Sequence, residues 1–286
     1  MNGGQLAAGP SQGKSAPSAG IEPPAAGSVG ALYLVPAPLD FGCDELTDLQ
    51  AVMPQHTLQV ASTIQHWICE NAKSTRAYLK RIDAVIPLKS PVQQIHIQEL
   101  PRAIHKKGDH LAGQASVAIA PFDAKPLLAA CLQGQDTGLV SEAGMPAVAD
   151  PGSSVVRAAH DLGIRVVPLT GPVSLLLALA ASGLNGQNFA FVGYLPTDAA
   201  ERSKRIRELE ALAIKTGQTQ LFIETPYRNA ALLGALLQTL QPTTRLATSA
   251  ALTLPNEANR SGRVKDWKNK PAMLDNRTPT VFLIGP

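Results

Sequence analysis

Gly138-Leu-Val-Ser-Glu-Ala-Gly-Met-Pro-Ala-Val-Ala-Asp-Pro-Gly152 is the stretch on which the reading of the chain turns. Its first part, Thr137 to Ser141, is short and apolar, the pattern of a buried strand. Small residues and Pro146 follow as a turn from Glu142 to Ala149. Asp150 with Pro151 then reads as a helix N-cap and first helical position. That helix should end at Gly163, where a left-handed C-cap is natural, and Ile164 to Leu169 is a second, β-branched strand. Strand, helix and strand within about 30 residues form a right-handed βαβ unit, so a parallel sheet is predicted here.

Toward the N-terminus, Ala31 to Val35 reads as a first buried strand, closed by Pro36 and Pro38. Residues 1 to 29 are rich in Gly, Ala, Pro, Ser and Gln and read as a disordered tail. Ile64 to Ile82 carries apolar residues at near-helical spacing, with Pro87 and Pro91 as breakers. From there to Gln114 no pattern is legible. Pro121 to Leu132 reads as a helix.

Toward the C-terminus, a helix from Gly171-Pro172 to Ser182-Gly183 is apolar almost all round and is expected to be buried on most sides, near a domain junction. Phe189 to Tyr194, Gln220 to Glu224, Arg245 to Leu252 and Thr280 to Ile284 read as strands. Ala199 to Ile214 reads as a charged surface helix, and Thr225 as the cap of a helix running to about Leu240. The expected class is α/β with two domains, residues 30–170 and 171–286. The first holds a mainly parallel sheet and the second a mixed one.

The composition agrees, with 45% hydrophobic but only 4% aromatic residues. A net charge of +3 permits nucleic acid as a partner without requiring it. Cys43, Cys69 and Cys131 are odd in number and scattered, which fits reduced thiols in a cytosol better than a disulfide framework or paired zinc ligands. The six His residues make no metal-binding spacing, and the most apolar run, Val173 to Ala181, is far shorter than the ~20 residues a bilayer span needs. No metal and no membrane is the expectation.

In open parallel sheets ligands bind beyond the carboxyl ends of strands. Three such ends combine turn residues with small side chains: Ser141 to Pro146, Leu169 to Ser174 and Glu224 to Tyr227. Each alone is ordinary turn chemistry, and together they favour a site. Neither a G-x-G-x-x-G nor a phosphate-loop pattern is present, which argues against dinucleotide enzymes and P-loop NTPases. A G-x-S-x-G elbow is absent as well. Two basic clusters stand out, Lys73/Arg76/Lys80/Arg81 and Arg202/Lys204/Arg205/Arg207. Either reads first as a solvated helix face, but Lys73, Arg76 and Lys80 share one stripe on which a polyanion could lie.

The run from Gly138 to Gly152 closely resembles the hallmark I-S-D-A-G-T-P-G-I-S-D-P-G of the bacterial 16S rRNA ribose 2′-O-methylases, members of the tetrapyrrole methylase superfamily. The resemblance continues through Val166 to Ser174, Ala181 to Leu184, Phe191 to Pro196, Phe222 to Arg228 and Thr280 to Gly285. It implies a class III methyltransferase, usually a metal-free homodimer in the cytoplasm, that binds S-adenosylmethionine in a cleft between the two domains. The cofactor residues it implies are Pro38, Ala143, Gly144, Met145, Val148, Val173, Ser174, Ile223, Glu224, Ala251, Leu252 and Thr280. Glu70 and Glu142 are its implied catalytic residues, with Asp40 a further candidate base. Lys73, Arg76 and Arg228 are its implied substrate contacts.

Departures fall on the acceptor side. Ala37-Pro-Leu-Asp-Phe-Gly42 replaces a T-P-I-G-N-L pattern, Cys69 to Arg76 loses an acid, and Ala250 to Leu254 loses three charges. Three acceptor readings remain open at this stage: RNA, with the ribose 2′-hydroxyl of small-subunit rRNA or a related target; a small tetrapyrrole-like molecule; or none, in a non-catalytic descendant.

Overall fold

The computed structural model of the protein describes residues 29–101, 122–270 and 274–286. Apart from Val29, the stretch expected to be a disordered tail lies outside them.

The first half runs β1 (Leu32–Leu34), α1 (Leu49–Val52), α2 (Gln55–Thr63), β2 (His66–Cys69), α3 (Ala72–Asp83), β3 (His96–Glu99), α4 (Ala129–Leu132), β4 (Thr137–Val140), α5 (Ser153–Asp161) and β5 (Val166–Pro168). Its five strands lie in the order β3-β2-β4-β1-β5, every neighbouring pair parallel. Successive residues point to opposite faces, as the pleat requires. Leu32, Ile68 and Leu139 meet Val155 of α5 on one side, while Tyr33, Trp67 and Val140 meet Leu79 of α3 on the other. Burial on both faces is why these strands read as continuous apolar runs rather than alternating ones.

The second half runs α6 (Ser174–Ser182), β6 (Phe189–Tyr194), α7 (Ala199–Thr216), β7 (Thr219–Ile223), α8 (Asn229–Thr239), β8 (Arg245–Ala250), β9 (Ala258–Arg263), α9 (Val264–Asn269) and β10 (Thr280–Gly285). The sheet order is β6-β7-β10-β8-β9, with only β6 and β7 parallel. One face carries Phe222, Leu246 and Phe282 under α7, α8 and α9. The other carries Leu221, Ala247 and Leu283 under Leu175, Ala178 and Leu179 of α6. The fold class is α/β, with a parallel and a mixed sheet as expected.

Five local readings are corrected. Ile64 to Ile82 is not one helix, because β2 occupies His66–Cys69 and α3 begins only after Asn71, whose side chain accepts from the Lys73 and Ser74 amides. Three apolar residues in a row, Trp67 to Cys69, fit both periods, and burial on both faces makes them a strand. Described helical structure before Leu132 starts at Lys125, after the non-helical Phe122 to Ala124, and Pro121 lies outside the described residues. Asp150 is not the N-cap residue: α5 starts at Ser153 with Gly152 as its N-cap. The Thr225 hydroxyl caps no helix and donates to Glu224 Oε1 instead, at 3.2 Å. Finally, α6 is not buried on most sides: Leu176, Leu177, Ala180 and Ala181 are exposed, the two leucines at 51% and 39%. The strand β9 and helix α9 carry too many polar residues to have been legible.

Candidate active site at the sheet junction

Sheet topology brings the candidate residues together. The chain leaves β1 toward β2 on one side and leaves β4 toward β5 on the other, so the loops after β1 and β4 diverge at the carboxyl edge and leave a crevice. Those loops are also pinned to each other: Ala37 and Gly144 exchange both backbone hydrogen bonds at 2.9 Å. Gly144 sits at φ +71, a left-handed conformation that glycine adopts without strain.

In the second sheet β10 is antiparallel to both its neighbours, so its start lies beside their ends. The register pairs Val281 with Ile223 and Thr280 with Ala250. Residues some 60 positions apart in the chain therefore share one wall. Leu39, from the loop after β1, packs against the core of this second sheet and closes the junction.

A cavity of about 460 Å³ opens there. It is lined by Ala143, Gly144, Met145 and Val148 from the loop after β4, and by Val173 and Ser174 at the start of α6. Ile223, Glu224, Ala251, Leu252 and Thr280 line it from the second sheet. These are the cofactor residues that the resemblance implies, with one exception. Pro38 faces a second, smaller cavity of about 200 Å³, together with Glu142, Asp40 and the α3 residues Ser74, Ala77 and Arg81. Phe41 and Gly42 line both cavities.

Carboxylates concentrate at the boundary. Glu142 accepts from the Ser74 hydroxyl at 3.2 Å. Asp150, released from the helix cap, lines the larger cavity. Burial, and then the negative charges of Glu70 and Glu142, push its carboxyl up to about 7. Burial first, then Asp150 and Glu224, also raise the Tyr194 phenol. Glu224 is a hub rather than an open carboxylate: its Oε1 accepts from Arg228 at 2.6 Å and from the Thr225 amide at 2.8 Å, with its side chain 2% exposed.

Arg228 also donates to Thr197 and lines neither cavity, so its guanidinium serves the strand end. Lys73 and Arg76 are exposed on α3, outside the cavity linings. Arg81 leaves their stripe and grips the buried Asp40 through two bonds of 3.0 and 2.8 Å. In the second basic cluster Arg205 pairs with Glu208 and Arg202 donates to the Thr197 carbonyl, which makes a solvated helix face. Sequence reasoning missed Asp150, Leu39, Tyr194 and Arg277 as lining residues. For Asp150 its place three residues before the helix was the available signal.

Among the described residues no group of three or more His, Cys, Asp or Glu could hold a metal ion, and no helix is long and apolar enough to cross a membrane.

Two α/β sheets, each covered by helices on both faces, with a ligand-sized crevice between their strand ends define a class of small-ligand-binding proteins. Residues 56–267 match the model of the Tetrapyrrole (Corrin/Porphyrin) Methylases. The chain is 34% identical to the ribosomal RNA small subunit methyltransferase I of Mesorhizobium japonicum over 90% of its own length and 75% of that protein's. It is 30% identical to the protein of the same name from Bacillus subtilis, over 85% and 71%. Among solved structures it resembles the methyltransferase CobJ in fold, with a TM-score of 0.50 at 16% identity, covering 91% of this chain and 94% of that one. The chain belongs to the tetrapyrrole methylase family and is a methyltransferase.

Proposed function

We propose that this protein transfers a methyl group from S-adenosylmethionine to RNA, with the ribose 2′-hydroxyl of small-subunit rRNA as acceptor, and that it acts as a cytoplasmic homodimer of two-domain subunits divided near residue 170. The observation that carries the reading is the convergence of eleven implied cofactor residues, Ala143 through Thr280, on one cavity of about 460 Å³. That size lies inside the range of small-ligand sites. Of the two carboxylates in its lining, Glu224 is paired with Arg228, which leaves Asp150 to face a ligand's positive charge. The names of the relatives support the RNA acceptor. Leu176 and Leu177, which leave one side of α6 apolar and exposed, support a partner subunit.

When bound, S-adenosylmethionine supplies a methyl carbon on a sulfonium, open to in-line attack. The chain's own contribution is alignment, exclusion of water and proton acceptance. Glu142, in the smaller cavity, is placed to take the acceptor hydroxyl's proton. The negative charges of Glu70 and Glu142 reach Asp150 and help to raise its carboxyl, so three carboxyl groups share this part of the crevice.

Calorimetric titration with S-adenosylmethionine should show binding at micromolar ligand, and the absence of heat would sink the cofactor assignment. Incubation with tritiated cofactor should then label undermethylated small ribosomal subunits. Label in a porphyrinogen and none in RNA would replace the acceptor.

A further inference from the structure

Phe41 stands out among the large apolar side chains that face solvent. It is 47% exposed, and only it and Gly42 border both the cofactor-sized cavity and the smaller cavity beside it. A ring left in water on a mobile loop would have little meaning, but this loop is held. Asp40, 4% exposed, takes both guanidinium nitrogens of Arg81 and the Thr47 amide at 2.8 Å, and Arg81 also donates to the Thr47 carbonyl at 2.6 Å. The ring is thus presented from a clamped base.

The opposite wall is α3, where Ala77 lines the small cavity. Lys73 and Lys80 lie four residues before it and three after, its neighbours on the helix surface. Both are exposed, and neither makes an ion pair among the described residues. An exposed aromatic beside a lysine-flanked slot too small for a whole cofactor matches the way proteins hold unpaired nucleotides, with the base on a ring and phosphates on cations.

We propose that the Phe41 ring is the stacking platform for an unpaired base of the acceptor strand, with Lys73 and Lys80 on its phosphates, so that the attached ribose lies at the boundary where the two cavities meet. This rests on the reading of the acceptor as RNA. It requires the target nucleotide to be single-stranded or flipped out, because a base inside a duplex shows no free face.

The test uses the full-length protein, S-adenosylhomocysteine at saturation, and a fluorescent single-stranded 12-nucleotide RNA of mixed sequence. Phe41→Ala should weaken RNA binding by roughly tenfold or more, and by more than it weakens cofactor binding. Phe41→Trp should restore binding, and Phe41→Leu should not, since it keeps apolar bulk without a π face. The native Trp67 and Trp267 are each 1% exposed, so a Trp at position 41 is the accessible fluorophore, and RNA should quench it. Weakened cofactor binding with unchanged RNA binding would overturn the proposal and assign the ring to the cofactor's adenine. Equal RNA binding by wild type and Phe41→Ala would also overturn it while leaving the RNA reading intact. Failure of the wild-type protein to bind RNA would remove both.

Discussion

Ala147, Ala149, Ala251 and Thr253 are the non-glycine residues at positive φ among the described residues, and all four sit in the two loops that wall the larger cavity. A left-handed backbone costs an L-residue roughly 1–2 kcal/mol, and such strain persists where surrounding structure over-determines the loop. Ala147 stands where the family hallmark has glycine. Ala147→Gly should therefore raise stability by about 1 kcal/mol, read as a higher midpoint in urea; an unchanged or lower midpoint would mean the loop is not strained there. Asp150 invites a pH experiment. Its carboxyl moves from 3.8 to about 7 on folding, so between those values the folded state holds a proton that the unfolded chain has released. Stability should fall as pH rises through that window and level off above it. Asp150→Asn should flatten the fall, and parallel curves for mutant and wild type would refute the assignment. A cationic ligand beside Asp150 favours the ionised form, so affinity for S-adenosylmethionine should rise through about pH 7 in the wild type alone.

Strands here are short, and their spacing depends on what the neighbouring strand presents. Gly138 in the middle of β4 faces Trp67 on β2, its register partner, so closely that an added Cβ would lie 2.8 Å from the indole Cε3. Gly138→Ala should cost about 1–3 kcal/mol through overpacking, measured by thermal unfolding. A neutral result would show that Trp67 has room to shift. At the helix level, Asn71 closes the amide ends of α3. Asn71→Ala should lose about 1 kcal/mol and loosen the wall carrying Ser74 and Ala77, visible as faster amide exchange in that turn. Element type was legible where apolar period and length agreed, as in α7, β6 and β10. It was not legible in β2, where three apolar residues shortly precede a helix, nor in β9, an edge strand whose sequence, Ala-Asn-Arg-Ser-Gly-Arg, is polar.

At the scale of the molecule, the two cavities meet at a seam held by the Arg81 and Asp40 pair. Arg81→Met would leave a buried carboxylate unpaired, at about 3 kcal/mol, and should lower methyl transfer more than cofactor binding because the loop bearing Phe41 loses its clamp. Equal losses in both would show that the loop serves the cofactor. The sequence by itself determined the class, because strands buried on both faces, glycine turns and the Gly138 to Gly152 run are local patterns that survive without neighbours. Only the tertiary structure decided that Ala143, Ile223 and Thr280 share a wall, since strand order and antiparallel register are long-range choices. The fold also set Pro38 beside Glu142 in the smaller cavity and committed Arg228 to Glu224. Asp150 became a carboxylate of perturbed charge for the same reason. Burial and neighbouring charges belong to the assembled crevice, and no stretch of chain carries them alone.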